Sequence, residues 1–319
     1  MATYTIEPTR QNLRGTFSRE YAPILAIDTG DTVHFRTLDA SWSIASPIAP
    51  NEHGQKFELY DSERDTGHAL CGPIAVRGAQ PGMTLEVRIN EIRPGTWGWT
   101  RGGGWSTAIN TRMNVVEQRD TLHWTLDADT MTGRDQYGHI LKLRPFMGIM
   151  GMPPDEPGVH STIPPRFCGG NMDCKELVAG SVLYLPIAVP DALFSTGDGH
   201  GMQGDGEVSG VALECPMERV SLTFYVREDM HISTPRANTP TGWVTLGFHH
   251  DLHEASLLAL EAMLDLMQEQ YEMPRTQALA LASLVVDMRV TQLVNGGVFG
   301  VHAVLPHGVL SERAQSHTV

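Results

Sequence analysis

The 319-residue chain lacks the features that would place it in several large classes. No apolar run approaches the ~20 residues a membrane-spanning helix needs. The opening M-A-T-Y-T-I-E-P-T-R does not have the basic-then-apolar pattern of a signal peptide. Cysteine is scarce: four residues, at 71, 168, 174 and 215, with no C-x-x-C pair. The expectation is a reduced, cytoplasmic setting with the thiols as small core residues. There is no P-loop, no G-x-S-x-G, and no G-x-G-x-x-G followed by an acid. His249-His250-x-x-His253 is not H-E-x-x-H, because no glutamate follows either candidate first histidine. Cations are outnumbered, 23 Lys and Arg against 37 Asp and Glu, for a net charge of −14. That balance argues against nucleic acid and anionic membrane surfaces as partners.

What the chain does have is glycine and proline, 32 and 20 of them, spread along its length. That suits many short strands joined by turns. A glycine turn followed by alternating residues occurs three times, at Gly30-Asp31-Thr32-Val33-His34-Phe35, Gly82-Met83-Thr84-Leu85-Glu86-Val87 and Gly180-Ser181-Val182-Leu183-Tyr184-Leu185. Further strands are expected at 24–27, 72–77, 181–189, 193–196, 220–226 and 298–305, with 122–126 and 139–143 as a hairpin. Residues 40–67 read as irregular. Residues 145–165, rich in Gly, Pro and Met, read as a long functional loop. Trp97, Trp99 and Trp105 beside Gly102-Gly103-Gly104 suggest that a loop over 95–110 folds across something. Asp251 and Glu254 have the form of a capping box. Ala255, Leu258, Ala262, Met263, Leu266 and Met267 follow at helical spacing. A second helix is expected from about 274, carrying Leu279, Leu281, Leu284, Val285 and Met288. The fold expected is therefore mostly β: an antiparallel β-sandwich or barrel-like core over residues 1–230, with a smaller α/β portion over 231–319 that carries two helices and packs on it as one compact unit.

The most informative stretch is 196–214, T-G-D-G-H-G-M-Q-G-D-G-E-V-S-G-V-A-L-E. It holds six glycines, Asp198, Asp205, Glu207, Glu214 and His200, and no Lys or Arg occurs from 176 to 218. Acids crowded without a cation repel one another and raise each other's pKa. A divalent metal is the simplest compensating charge. Val208, Val211, Ala212 and Leu213 read as a buried strand that would carry Glu214 inward. Asp173, after Gly169-Gly170-Asn171-Met172, sits in a similar glycine turn. Two glycine-held carboxylates plus His200 make a three-ligand site with an open fourth position. His68, ahead of the 72–77 strand, is a further candidate.

These residues resemble a known family. G-D-G-H-x-x-Q-G-D-G-E within 196–214 is similar to the signature of the acetamidase/formamidase family. So are Gly72-Pro73-Ile74-Ala75-Val76-Arg77-Gly78-Ala79-Gln80-Pro81-Gly82, the 145–173 segment ending in G-G-N-M-D, and 287–294 with Arg289 and Gln292. Gly201-Met202 departs from the two small residues usual there. The resemblance implies a mostly-β fold, hydrolysis of formamide- or acetamide-like amides to carboxylate and ammonia, a bound divalent metal, and a homo-oligomer. The metal expected is Zn2+, with Ca2+ the alternative, held by Asp173, Asp198 and His200, with His68 as a further ligand. Glu207 is the expected base and acid, and Glu214 the second choice. Asn171, Gln203 and Met202 are the expected substrate contacts. Two other readings remain open: a non-catalytic β module stabilised by its metal, and a covalent mechanism through Cys174 or Ser209.

Overall fold

The structure, a computed structural model, describes residues 1–46 and 54–310. The three glycine-turn motifs all become what their pattern implies. Gly30, Gly82 and Gly180 take φ of 92°, 89° and 90°, and the strands after them run Thr32–Phe35, Thr84–Pro94 and Val182–Pro186. All three lie in one nine-stranded sheet, ordered Thr3–Ile6, Thr32–Phe35, Met217–Arg227, Thr84–Pro94, Val182–Pro186, Arg236–Asn238, Gly242–His249, Phe299–Pro306, Asp287–Gln292. Each adjacent pair is antiparallel except the first, which is parallel. Strands from both sides of residue 230 thus share this sheet.

A second sheet runs Gly169–Asn171, Phe146–Gly151, Phe194–His200, Leu70–Val76, Leu13–Arg14, with Leu25–Ile27 added parallel to Leu70–Val76. The two sheets share one apolar core. Val33, Leu85, Val87 and Phe224 from the first sheet pack with Ile74, Phe146 and Phe194 from the second. The Phe194 and Phe224 rings meet edge to face, 5.0 Å apart. The mostly-β expectation holds.

Several local expectations do not. Phe146–Gly151 is a fully buried strand, although the sequence around it reads as a loop. Of the prolines that suggested a loop, Pro145 lies just before the strand and the next comes at 153, so nothing removes a ladder donor within the strand itself. Trp97–Gly103 is a strand too, paired with Arg119–Asp127, so it is not a loop. The expected 122–126/139–143 hairpin is a three-stranded meander, because Thr132–Asp135 inserts between Arg119–Asp127 and Ile140–Lys142. Residues 208–213 form turns with Val208 exposed, so they are not a buried strand. The stretch 40–67 contains a short pair, Ser43–Ala45 with Gln55–Lys56, and its residues 47–53 lie outside the described residues.

The helices Leu252–Tyr271 and Arg275–Val285 cover the Gly242–His249 and Phe299–Pro306 strands. Asp251 caps the first, its Oδ1 accepting from the His253 and Glu254 amides. Ala255, Ala259, Met263, Leu266 and Met267 form its buried face. In the second helix Ala278 and Ala282 are buried while Leu279 and Leu284 face out, and Met288 already belongs to the next strand. Leu281 and Val285 do pack against the cluster these helices form with the sheet.

One buried group beneath this layer makes stability depend on pH. His302, on Phe299–Pro306, pairs through Nδ1 with Thr291 Oγ1 at 2.8 Å, and its Nε2 is buried without a partner. Burial, only partly offset by Asp205 and Glu176, pushes its pKa down from 6.5 to about 4. The folded protein therefore holds this imidazole neutral while the unfolded chain binds a proton below about 6.5. Unfolding takes up that proton, so stability is lost as pH falls from 6.5 towards 4. The His302 share of the loss at pH 5 is on the order of 2 kcal/mol, against an opposite contribution from Asp173, whose raised carboxyl takes up a proton over the same range. Urea midpoints at pH 7 and pH 5, compared between wild type and His302→Asn, isolate it: the variant should lose less stability, or gain more, on acidification.

Candidate metal and amide site

The site is built where three strands run side by side. Asp198 and His200 stand two residues apart on Phe194–His200, so their side chains share a face. Phe146–Gly151 pairs with that strand on one side (Met147 opposite Gly199, Ile149 opposite Gly197) and with Gly169–Asn171 on the other. Asp173 is the second residue after this last strand. Gly148 lies in the middle of the three. A Cβ there would fall 2.6 Å from Asp173 Oδ1, 2.6 Å from Asp198 Oδ2 and 3.0 Å from His200 Cε1. The missing side chain at 148 is what lets two carboxylates and an imidazole converge. Glu214 joins through the backbone: it exchanges amide–carbonyl bonds with Trp99, both 2.9 Å, and stands opposite His200. Glu207 sits on a turn tied to the Asp287–Gln292 strand, Gly206 N donating to Thr291 O at 3.0 Å and Leu293 N to Gly206 O at 3.1 Å.

All five side chains are buried. His200 Nε2 lies 3.3 Å from Asp198 Oδ1 and 3.4 Å from Glu214 Oε2, and His200 Nδ1 lies 3.8 Å from Asp173 Oδ1. Gln203 Oε1 is 3.0 Å from Nδ1. An amide oxygen only accepts, so Nδ1 carries a hydrogen, and Nε2 faces Asp198 and Glu214. Burial opposes the charged imidazole, but Glu214 and Asp198 outweigh it and raise the His200 pKa well above 6.5, so Nε2 would offer a lone pair there only to a bound cation. Asp173 Oδ1, Glu207 Oε2 and Glu214 Oε2 are buried without a hydrogen bond of good geometry. Candidate ligand atoms of Asp173, Asp198 and His200 lie within 4.8 Å of one another, as do those of His200, Glu207 and Glu214.

The electrostatics carry the same sign. Burial, reinforced by the charge on Asp198, pushes the Asp173 carboxyl up to about 7. Burial and Asp173 push Glu207 well above the usual carboxylate range. Burial acts the same way on Asp198, but the imidazoles of His200 and His68 outweigh it and hold that carboxyl at about 2. Four acids around one imidazole carry surplus negative charge, and orphaned carboxylate oxygens cost upwards of ~1–3 kcal/mol each. The donor set, the orphaned oxygens and the space that Gly148 leaves all fit a divalent cation.

Backbone strain gathers at the same point. Asp173, Asp198 and Glu207 take φ of 49°, 60° and 45°, a region non-glycine residues seldom enter. The glycines contribute as well: Gly169 and Gly170 take φ of 92° and 102°, and Gly206 and Gly210 take 96° and 84°, whereas Gly197 and Gly199 do not take positive φ. Gly197 and Gly199 serve close approach instead. A Cβ at Gly197 would meet the Ala69 carbonyl at 2.3 Å, and one at Gly199 the Met217 side chain at 2.7 Å.

The cluster forms one wall of a cavity of about 410 Å³. Asn171, Asp173, Asp198, Glu207, Glu214 and His68 all line it. Asn171 Nδ2 donates to the Ile163 carbonyl at 3.0 Å, which leaves its buried Oδ1 without a partner. His68 Nδ1 pairs with Thr162 Oγ1 at 2.8 Å, and His68 is not among the converging ligand atoms. Two expected substrate contacts stand elsewhere. Gln203 spends its oxygen on His200 and its nitrogen on the Asp173 carbonyl, so it orients the imidazole. Met202 packs behind the cluster against the core, in a different hollow from the one Asp173 and Asp198 line. Trp99 does face the cavity, though from a strand, with its indole Nε1 donating to Asp39 Oδ2 at 2.9 Å.

Two residues were invisible to sequence reading. Gly148 belongs to a motif read as loop. Asn295, in a stretch read as a plain turn, donates to Asp173 Oδ2 and to the Asn171 carbonyl. Gln292 holds Asn295 in place by accepting from the Val294 and Asn295 amides. Arg289 donates to Glu176, as does Arg144, in an ion cluster away from the cavity. The covalent alternatives find no support in the geometry. The Cys174 thiol is buried and pushed up to about 12 by burial. Ser209 Oγ donates to the Val211 carbonyl at 3.0 Å.

Comparison with known proteins matches the same motifs. The model of the Acetamidase/Formamidase family matches residues 5–160 and 157–311, nearly the whole chain. The chain belongs to the acetamidase/formamidase family. Among relatives in this family, it is 52% identical over 251 residues to a formamidase of Methylophilus methylotrophus, a match covering 59% of this chain and 57% of that protein. It is 48% identical over 199 residues to an acetamidase of Mycolicibacterium smegmatis, covering 44% of this chain and 49% of that protein. The chain thus spans about half the length of the curated relatives it matches. The crystal structure of an acetamidase from Bacillus halodurans superposes with a TM-score of 0.83 at 25% identity, over 94% of this chain and 97% of that one. The acetamidase/formamidase fold therefore extends over essentially all the described residues, which contain no helix long and apolar enough to cross a membrane.

Proposed function

We propose that this chain hydrolyses short linear amides, of the formamide and acetamide kind, to carboxylate and ammonia. The observation that carries the reading is the meeting of Asp173, Asp198, Glu207 and Glu214 around His200 on one cavity wall. Asp173, Asp198 and His200 would hold a divalent metal, zinc in this reading and calcium as the alternative. Glu214, beside the same imidazole nitrogen as Asp198, suits a fourth ligand better than a proton carrier. Once bound, such an ion lowers the pKa of a coordinated water towards ~7 and polarises the substrate carbonyl.

The remaining work falls to the chain. An amide resists hydrolysis because its carbon is a poor electrophile and its nitrogen leaves only when protonated. Glu207 takes a proton from the attacking water and delivers it to that nitrogen. The C–O bond forms, the C–N bond breaks, and ammonia departs. Its unpartnered Oε2 and upward-shifted carboxyl suit a group that must hold a proton in mid-reaction. Asn171 Oδ1 accepts from the substrate N–H, and His68 makes a second contact from the cavity wall. Gln203 keeps His200 in the tautomer that offers Nε2. Assembly as a homo-oligomer is part of the proposal.

Ammonia release from a panel of small amides, with and without a chelator, is the test. His200→Ala should lose metal and activity together. Normal metal content in that variant would remove His200 from the ligand set, and a metal-loaded wild type inert towards every amide would leave a metal-stabilised module without catalysis.

A further inference from the structure

The cavity is larger than the amides just named require. Acetamide has four heavy atoms and displaces roughly three waters, about 90 Å³ at ~30 Å³ each. The cavity offers about 410 Å³, within the range that takes far larger ligands. Besides the acid cluster, aromatic rings line it: Trp42 and Tyr60, tilted together at 5.7 Å, and Trp99. Among these rings stands a cation, Lys56, on the strand Gln55–Lys56.

Lys56 is half-buried and held in place. Its Nζ donates to the Ser41 carbonyl and lies 5.2 Å from the centre of the Tyr60 ring. Among the described residues no carboxylate comes within ion-pairing distance of it, whereas Asp65 on the same wall is matched by Arg10 at 2.6 Å. Asp39, the acid whose charge acts on Lys56, is already occupied by the Trp99 indole and the Ser43 amide. An ammonium fixed by one carbonyl and one ring has donors left for a ligand. Desolvating it with nothing to accept those donors is costly, and an anionic ligand removes that cost.

We infer that Lys56 receives a negatively charged group at the far end of the substrate, so that this chain favours primary amides carrying a carboxylate on a short linker, the monoamides of dicarboxylic acids. The inference rests on the amidase reading for its chemistry, but not for its binding step. The amide end meets Glu207 and the cation site, the aromatic wall covers the linker, and the carboxylate meets Lys56. A neutral amide of the same length loses the last contact and leaves the ammonium unmatched.

The experiment compares succinamate with the uncharged pentanamide on the metal-loaded protein. The wild type should show a kcat/KM ratio favouring succinamate. In Lys56→Met that ratio should fall roughly 10–100-fold, chiefly through KM, as expected for loss of a charge-assisted hydrogen bond, and Lys56→Arg should restore most of it. A ratio unchanged by Lys56→Met, or one in which both amides fall together because Lys56 serves only as counter-ion to Asp39, overturns the inference. Calorimetric binding of succinate gives a readout independent of turnover, with at least tenfold weaker binding expected for Lys56→Met. If no amide is hydrolysed but this binding difference holds, the amidase reading falls and the carboxylate site stands. Equal binding by both proteins sinks the site, whatever the turnover.

Discussion

Glu207→Gln should lower kcat by roughly 10²–10⁴-fold and leave metal content unchanged. Glutamine keeps the length and shape of the side chain and suits the same backbone, already held at a φ of 45° by the bonds of Gly206 to Thr291 and Leu293. What it loses is the ability to take up and return a proton. Elemental analysis of the variant beside ammonia release separates this from a ligand defect. Loss of metal would make Glu207 a ligand through the His200–Glu207–Glu214 grouping. Full activity would return the proton to another group. Glu214 is the poorer choice for that role, because its Oε1 already accepts from the Ala212 amide at 2.9 Å and its backbone is pinned to Trp99. Glu214→Gln is therefore expected to act mainly on metal affinity.

Gly148→Ala should cost about 10–100-fold in metal affinity, the size typical of disturbing the groups that orient ligands. One methyl group would overlap the oxygens of both Asp173 and Asp198 and press on His200. These side chains have little room to yield. Asp173 is tied to Asn295, His200 to Gln203 and packed edge-on by Phe146 at 5.1 Å, and the strand is buried along its whole length. Overpacking of this kind also destabilises the fold, by about 1–3 kcal/mol. Competition with a graded chelator measures the affinity, and melting in excess chelator isolates the packing term. Unchanged affinity would mean that the ion sits away from the Gly148 gap, closer to Glu207 and Glu214.

Much of this site was legible in the residues alone, for a specific reason. Acids in a stretch without cations create a charge problem that any fold must answer, so Asp198, His200, Glu207 and Glu214 stand out before any coordinates. Asp173 stands out through its own glycine-rich neighbourhood. Conformation was less legible. The same glycines that look like hinges at 197 and 199 are spacers in a buried strand, and the segment at 146–151 that looks like a loop is the strand that brings the site together. Local composition cannot separate these cases, because a glycine kept for close approach and a glycine kept for positive φ are the same letter.

Sequence alone established a mostly-β chain, its family resemblance, and the side chains that need a cation, because alternation, turn residues and unbalanced charge are properties of neighbours along the chain. Only the tertiary structure decided that Gly148 makes room for the ligands, that Gln203 and Met202 stand behind the site, that Asn295 holds Asp173, and that Lys56 and the acids line one cavity. Those are relations between residues far apart along the chain, and they exist only once the two sheets have closed on each other.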